Sequence, residues 1–228
     1  MSIPKPSKRL VTLADARRWS PAECLIQVKA DGEFQTRELA GGNIVAGEWV
    51  TGGSGAMLTP RHRQWLRESP GGIFIAFDLL QWRGEPCVSW LTSRRWASLQ
   101  GVEMDGYFTP DMRLVECYSG NHFMEGMIAN GGEGCVAKAW SDPYVPMLAV
   151  KASKPYDCIV TQIGGSQSVG IAQRMGDALV DRGRVTLAGG KCDKVRVGST
   201  IQVMAMDVHE SGKLRQPTVR GKCWLLNY

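Results

Sequence analysis

The stretch Gln27-Val28-Lys29-Ala30-Asp31-Gly32-Glu33 places a lysine just before an Asp-Gly pair. The apolar run Cys24-Leu25-Ile26 precedes it, and together with Val28 it predicts a strand. Asp31-Gly32 predicts a turn at which the backbone can approach a ligand closely. A lysine in a basic or desolvated pocket loses its proton, and its amine then attacks an electrophile. The stretch therefore indicates either a nucleophile or a surface lysine in a strand that ends in a turn.

Four further short motifs follow this lysine along the chain. Each combines a charged residue with residues of strand propensity. In order, they are Ala46-Gly47-Glu48-Trp49, Phe74-Ile75-Ala76-Phe77-Asp78-Leu79-Leu80, Glu133-Gly134-Cys135-Val136-Ala137-Lys138 and Val150-Lys151-Ala152-Ser153-Lys154. Further charged groups of this kind are the parts that a nucleophilic lysine would need around its substrate.

The five motifs resemble, in this order, those of the covalent nucleotidyltransferases, the family of ATP-dependent DNA ligases, RNA ligases and mRNA capping enzymes. In that family a lysine in K-x-D-G carries the nucleotide as a phosphoramidate, and Lys29-Ala30-Asp31-Gly32 is similar to that motif. The other four resemble the D-G-E-L, F-D-L-L and E-G-x-V-x-K motifs and the lysine-rich fifth motif. Their occurrence in the same order is a strong joint signal.

The resemblance implies a role for each charged or aromatic residue of the motifs. Lys29 is the nucleophile that attacks the α-phosphate of ATP, and Asp31 and Gly32 form the turn beside the nucleotide. The further implied roles are Gln27 at the adenine edge, Phe77 stacked on the base, Glu48 at the ribose or a second metal, Glu133 as a ligand of Mg²⁺ or Mn²⁺, and Lys138, Lys151 and Lys154 facing phosphates. Glu133 suits a hard cation, since such cations prefer carboxylate oxygens.

Several positions depart from the family pattern. Alanine replaces the usual aspartate at Ala46, and Phe34 stands where the family has an arginine, so we expect Arg37 to supply the missing contact. The role of the second lysine in the fifth motif falls to either Ser153 or Lys154. The final R-x-D-K motif is represented only by Arg220-Gly221-Lys222.

Composition sets bounds on the class of protein. The 228 residues are 43% hydrophobic and 21% charged, which is typical of a globular chain that buries a core. The net charge of +5 is compatible with a polyanionic partner. Seven cysteines without a C-x-x-C pair favour reduced thiols over a disulfide framework or a zinc site. The sequence shows no signal peptide or membrane span, so we expect a cytoplasmic protein. We also expect a monomer.

Hydrophobic periodicity and turn residues predict the secondary structure of the first domain. The predicted strands are residues 25–39, 44–51, 73–80, 113–117 and 135–139, and the predicted helices are residues 12–19, 58–67, 92–99 and 123–129. The strands 25–39 and 44–51 should form a hairpin that brings Glu48 near Lys29. Helix 58–67 should turn Trp65 and Leu66 inward, and helix 92–99 should expose Arg94 and Arg95. Asp78, inside an apolar strand, requires a partner.

After residue 154 the pattern changes to short alternating segments between glycine-rich turns. The predicted strands are residues 158–163, 178–180, 184–187, 200–207 and 218–226, a spacing typical of a small all-β barrel. The resemblance implies an oligonucleotide-binding (OB) fold, and Gly212-Lys213-Leu214-Arg215-Gln216-Pro217 resembles a G-x-L-R-x-P segment of ligases. We therefore predict an α+β chain with an adenylation domain of antiparallel sheets and flanking helices at residues 1–154, followed by an OB domain at 155–228.

The resemblance implies a minimal ATP-dependent DNA ligase that seals nicks in double-stranded DNA through lysyl-AMP and adenylated-DNA intermediates. The alternatives are an RNA ligase, a capping guanylyltransferase that uses GTP, or a non-catalytic nucleic-acid-binding module. Binding alone would need only a basic groove and aromatic residues, so the motif lysines and carboxylates favour an enzyme. Arg215, Arg220 and Lys222 are expected to contact pyrophosphate or nucleic acid when the second domain closes.

Overall fold

The computed structural model describes residues 8–10, 20–53, 56–118, 122–144, 147–164, 168–187 and 195–219. The side chains of residues 8–10 and 122–125 are not described. Contacts between Cα atoms divide the chain into two compact units, Met1–Lys151 and Ala152–Tyr228. Within the described ranges the chain is mostly β with few helices. The domain boundary at residues 154–155 stays a prediction.

The first unit contains ten strands and three α-helices in its described part. The helices are α1 (Pro60–Glu68), α2 (Thr92–Met104) and α3 (His122–Ala129). The strands are β1 (Lys8–Leu10), β2 (Cys24–Val28), β3 (Glu33–Leu39), β4 (Asn43–Val50), β5 (Ile73–Trp82), β6 (Glu85–Pro86), β7 (Met112–Leu114), β8 (Cys117–Tyr118), β9 (Gly134–Ala139) and β10 (Met147–Lys151). A 3₁₀ turn at Ala40–Gly42 joins β3 to β4.

These strands form two sheets. The first has the order β1-β10-β9-β2-β8, and the second has the order β3-β4-β5-β6, with β7 beside β5. Most neighbours are antiparallel, and β1–β10 and β5–β7 are parallel. Apolar side chains of both sheets and of α1 share one core, which includes Ile26, Val50, Ile75 and Trp65. The chain between β2 and β3 therefore passes from one sheet to the other.

The predicted strand over residues 25–39 is wrong, because it is two strands in different sheets. The break falls at residues 29–32, where Asp31 and Gly32 form the turn that their residue types favour. A Cβ on Gly32 would overlap the Trp49 carbonyl and lie 2.9 Å from Val50 Cγ2. The close approach of β4 thus requires glycine at the crossing point.

Residues 113–117 also form two strands instead of the single strand predicted. β7 pairs with β5 in the second sheet, and β8 pairs with β2 in the first. The chain between them contributes Val115, which is 4% exposed. A short apolar run has no periodicity long enough to show where a chain leaves one sheet for another.

The three predicted helices that fall in the described ranges are confirmed, with changed ends. Thr59 caps α1 by accepting a hydrogen bond from His62 N at 3.1 Å, and Pro60 occupies the first turn. Trp65 and Leu66 are buried as predicted. The predicted exposure of Arg95 on α2 is wrong, since this side chain is only 1% exposed. The predicted helix at residues 12–19 lies outside the described residues.

The second unit contains a four-stranded antiparallel sheet of order β13-β12-β11-β14. Its strands are β11 (Lys154–Ile163), β12 (Ser168–Met175), β13 (Ala178–Thr186) and β14 (Thr200–Ala205). β12 was not predicted, and the predicted segments 178–180 and 184–187 belong to one strand. Gly183, at φ 93°, lies inside that strand and gave the false turn signal. Thr218 pairs with Met204, and residues 220–226 of the last predicted strand lie outside the described residues.

Candidate active site

Lys29 directly follows β2 at the point where the chain leaves the first sheet. Its side chain is 8% exposed, and its backbone N–H donates to the Gly134 carbonyl at 2.8 Å. Its Nζ contacts Glu133 Oε2, and the Ala30 carbonyl lies 3.5 Å away. The lysine is therefore a buried amine with a carboxylate partner rather than a surface side chain.

Glu133 is held in place by the pairing of β9 with β10. The carboxylate precedes β9 and is 2% exposed, and its Oε1 lies 3.4 Å from Lys151 Nζ at the end of β10. Gly134 pairs with Lys151 across the two strands, and a Cβ on Gly134 would overlap the Val150 carbonyl oxygen. The close approach of β10 therefore explains why a glycine follows Glu133, and it brings Lys151 to the Glu133 carboxylate.

A second carboxylate fixes the turn after Lys29. Glu48 on β4 is 5% exposed, and its Oε2 accepts a hydrogen bond from Gly32 N at 3.0 Å. Asp31 Oδ2 accepts from Met57 N at 2.8 Å. These two bonds tie the Asp-Gly turn to β4 and to the segment before α1, and the predicted β3–β4 hairpin brings Glu48 into the same pocket as Lys29.

Gln27 and Lys138 meet at a backbone carbonyl of β5. Gln27 is 1% exposed, and its Nε2 donates to the Phe77 carbonyl at 3.0 Å. Lys138 Nζ donates to the same oxygen at 2.9 Å and to Asp78 Oδ2 at 3.0 Å. Burial raises the pKa of the Asp78 carboxyl, but the cations of Lys138 and Arg95 outweigh it and hold the pKa below its usual range.

Lys29 and the Gln27–Phe77 group line one pocket. Its wall is made of Gln27, Val28, Lys29, Ala30, Glu48, Phe77, Val115, Val136, Lys138 and Met147. The apolar members come from both sheets, and Val115 and Val136 were not predicted from the sequence. Small apolar walls with a few polar groups are typical of ligand sites. The sequence could not mark Val115 and Val136 as pocket residues, because buried valines are common in every protein core.

The carboxylates that could hold a metal are Glu133 and Glu48. Within the described ranges no group of three or more His, Cys, Asp or Glu side chains lies together. Mg²⁺ needs only one or two carboxylates when waters and substrate phosphates complete its shell, so these carboxylate donors have the chemistry that such an ion prefers. Glu133 would exchange one of its lysine contacts to bind it.

The prediction that Arg37 replaces the arginine lost at Phe34 does not agree with the structure. Along β3 the side chains alternate, and Phe34 and Arg37 lie on opposite faces of the sheet. The Arg37 guanidinium bonds Asp111 Oδ2 at 2.8 Å and lies over the rings of Trp49 and Phe74. It therefore lies on the face of the sheet that carries Trp49 and Phe74, opposite to the face of Glu48.

The other predicted contact residues are Lys138 in the first unit, Lys154 and Arg215 in the second unit, and Arg220 and Lys222. Lys154 is exposed and is the first residue of β11 in the second unit. Arg215 lies in the same unit, in a segment whose backbone hydrogen-bonds to Met206 and Asp207. Arg220 and Lys222 lie outside the described residues. Lys138 lines the pocket, but its ammonium bonds Phe77 and Asp78, so its contact with phosphate stays a prediction.

Arg95 is a residue that sequence reasoning missed. Its Nε donates to Asp78 Oδ1 at 2.8 Å, and its Nη2 donates to Thr92 Oγ1 at 3.2 Å. The signal was Asp78 itself, a carboxylate in an apolar strand that requires partners. Helix periodicity could not show which of the adjacent arginines Arg94 and Arg95 turns inward.

No protein family model matches the sequence, and no curated protein sequence matches it. Among solved structures, a Lig E DNA ligase, from a study of DNA binding with a minimal scaffold, has a TM-score of 0.68 at 14% identity, covering 97% of this chain and 100% of that one.

This chain has the fold of the ATP-dependent DNA ligases. The ligase domain of M. tuberculosis LigD has a TM-score of 0.52 at 15% identity, covering 95% of this chain and 94% of that domain. A mycobacterial DNA ligase D complexed with ATP and MES has the same TM-score at 16% identity, with the same coverage. The ligase-like fold agrees with the resemblance of the five motifs.

No helix in the described ranges has the length and apolarity to cross a bilayer.

Proposed function

We propose that this protein is an ATP-dependent DNA ligase that joins the 5′-phosphate and 3′-hydroxyl of a nick. One observation carries the proposal: the Lys29 amine is buried against the Glu133 carboxylate, in a pocket that Gln27 and Phe77 also line. Lysyl-AMP formation requires a buried lysine with a carboxylate partner, close to polar and aromatic groups that can bind the base.

In the first step, Lys29 Nζ attacks the α-phosphorus of ATP. A phosphorus–nitrogen bond forms, the bond from the α-phosphorus to the bridging oxygen breaks, and pyrophosphate leaves. The amine must be neutral to attack, and the proton of its ammonium passes to Glu133 Oε2, which it already contacts. Lys151 lies on the other oxygen of this carboxylate, where its charge faces the incoming phosphate.

In the next steps, AMP passes from Lys29 to the 5′-phosphate of the nick, and the 3′-hydroxyl then displaces AMP. Both steps are phosphoryl transfers, so positioning and charge neutralisation supply most of the catalysis. Glu133, with Glu48 as the second candidate ligand, would hold a Mg²⁺ ion, which would supply neutralisation of the phosphate charge. Glu48 also holds the turn at Gly32, which keeps Lys29 in place between the two sheets.

The base is recognised at the other end of the pocket. The Gln27 amide nitrogen donates to the Phe77 carbonyl, so its amide oxygen is the acceptor offered to the 6-amino group of adenine. Phe77 lines the pocket and offers its ring for stacking. A solved mycobacterial DNA ligase D holds ATP, which supports ATP as the nucleotide.

The second unit acts as an OB-type domain that helps to bind nicked double-stranded DNA. Its four-stranded antiparallel sheet and the segment carrying Arg215 support this assignment. Arg215, with Arg220 and Lys222, would meet the pyrophosphate or the DNA backbone. The Lig E DNA ligase with the same fold belongs to a study of DNA binding by a minimal scaffold, which supports DNA as the partner.

The proposal is tested by incubating the protein with α-labelled ATP or GTP and Mg²⁺, followed by denaturing electrophoresis. We expect covalent label from ATP and not from GTP, and release of that label when nicked DNA is added, with formation of a sealed strand. Label from GTP would favour a capping guanylyltransferase, and better sealing of RNA ends would favour an RNA ligase. Absence of label from either nucleotide would refute an enzyme of this class.

A further inference from the structure

The Phe77 carbonyl oxygen accepts two hydrogen bonds from side chains. Gln27 Nε2 lies 3.0 Å from it and Lys138 Nζ lies 2.9 Å from it. A carbonyl oxygen has two lone pairs, so these two donors satisfy its full capacity. Gln27 pairs with Val136 and Lys138 pairs with Leu25, so Gln27 and Lys138 are diagonal neighbours on the paired strands β2 and β9. Their shared acceptor on β5 ties the first sheet to the second.

Lys138 is held at this position by a buried ion cluster. Its Nζ lies 3.0 Å from Asp78 Oδ2, and Arg95 Nε lies 2.8 Å from Asp78 Oδ1. The three side chains are 3%, 4% and 1% exposed. Buried charged side chains are tolerated only when they are paired and hydrogen-bonded. Removal of one partner leaves the other charge buried and unpaired, which costs folding free energy. Lys138 therefore cannot leave Asp78 for a phosphate without a large cost.

The bond to Phe77 also determines which way the Gln27 amide points. A carbonyl only accepts hydrogen bonds, so the nitrogen of the amide must face Phe77. The oxygen of the same amide is then the acceptor that remains for a ligand, and it suits an amino group on the base. Adenine carries such a group at its position 6, whereas guanine carries an oxygen there.

We propose that Lys138 is a positioning residue for base recognition, which shares the Phe77 carbonyl with Gln27 and is anchored by Asp78 and Arg95. This inference rests on the proposed function, because it assigns a role within that nucleotide site. It differs from the phosphate contact that the motif resemblance implies. The ammonium, 4.9 Å from the centre of the Phe77 ring, also steadies the ring expected to stack on the base.

The test compares ATP with purine riboside triphosphate, which lacks the 6-amino group, in the full chain and in Lys138→Met. For the variant, we expect the KM for ATP in lysyl-AMP formation to rise by about tenfold or more, the usual scale for a hydrogen bond to a charged group. The kcat should stay within about threefold, and the preference for ATP over the analogue should fall by about tenfold. Lys138→Arg keeps the charge and the donors and should retain much of the preference.

A phosphate contact would give the opposite pattern, an equal loss with both nucleotides that appears mainly in kcat, and this result would overturn the inference. Asp78→Asn supplies a second variant with the same shape, and it should also lose base preference. If Lys138→Met does not fold, Asp78→Asn and Lys138→Arg decide the question. Calorimetric binding of the two nucleotides without metal gives a readout that does not need turnover. If the wild type binds ATP but forms no lysyl-AMP, the proposed function fails, while the base preference still tests Lys138.

Discussion

Glu133 contacts Lys29 through one carboxylate oxygen and Lys151 through the other. Oε2 meets Lys29 Nζ, and Oε1 lies 3.4 Å from Lys151 Nζ. The carboxylate is 2% exposed, so water screens these contacts weakly. One buried anion therefore organises both the amine that would react and the cation beside it.

Glu133→Gln should keep the shape of this centre while removing its charge. We expect lysyl-AMP formation to slow by about 10²-fold or more, because the neutral amide neither takes a proton from Lys29 nor balances the charge of Lys151. Single-turnover labelling with ATP measures the rate. Glu68→Gln is the matched control, since Glu68 is half-exposed on α1 and pairs only with Arg113 among the ion pairs of the described residues. Equal rates for both variants would contradict the role of Glu133.

Lys29→Ala and Lys29→Arg should both abolish covalent labelling. Alanine has no nitrogen, and an arginine stays protonated and cannot act as an amine nucleophile. Denaturing electrophoresis after incubation with labelled ATP detects the loss. Lys213→Arg in the second unit, an exposed lysine that contacts Asp181, should label normally. Label retained on either Lys29 variant would show that another residue carries the nucleotide.

Arg37→Met should affect stability and leave adenylation unchanged. The variant loses the ion pair with Asp111 and the stacking over Trp49 and Phe74, and the guanidinium is partly screened because a quarter of the side chain is exposed. We expect the free energy of unfolding to fall by about 1 kcal/mol. Urea denaturation and the labelling assay measure the two properties. A clear loss of labelling in a folded variant would restore Arg37 to the active site.

Gly32→Ala should destabilise the fold and displace the turn after Lys29. The added Cβ would overlap the Trp49 carbonyl, which backbone pairing holds in place. We expect a loss of about 1–3 kcal/mol in the free energy of unfolding, on the scale of overpacking, together with slower labelling. Gly52→Ala is the control, because a Cβ there has open space around it. If both variants were equally stable, the close approach at Gly32 would be wrong.

His62 should make the fold sensitive to mild acid. Burial, with a smaller effect from Arg63, lowers the pKa of His62 to about 4, and neither ring nitrogen has a hydrogen-bond partner among the described residues. An unfolded histidine has a pKa of about 6.5, so the unfolded chain binds more protons between these values and stability falls as the pH falls.

The expected loss from this group is about 3 kcal/mol between about pH 6.5 and pH 4, from roughly 1.4 kcal/mol per pKa unit. His62→Leu should lack this part of the pH dependence, and His209→Gln, which changes an exposed histidine, should keep it. Urea denaturation at several pH values provides the measurement. Parallel curves for the wild type and His62→Leu would disprove the assignment.

Local patterns predicted much of the secondary structure. The β3–β4 hairpin and the helices α1 and α3 follow from turn residues, capping residues and periodicity, which act over a few neighbours in the chain. The same reasoning placed Glu48 beside Lys29, because a hairpin is a local structure. It failed at residues 25–39, where the Asp31-Gly32 turn separates strands of two different sheets, because a turn signal does not show which sheet the next strand joins.

The sequence by itself determined the order of the five motifs, the requirement for a partner at Asp78 and the nature of Lys29 as a possible nucleophile. Only the tertiary structure decided which partners meet. Arg95 on α2 and Lys138 on β9 both pair with Asp78 on β5. Arg37 lies on the face of its sheet opposite to Phe34. These outcomes depend on contacts between residues far apart in the chain, and the free energy of burying a charge is determined by neighbours that local sequence does not name.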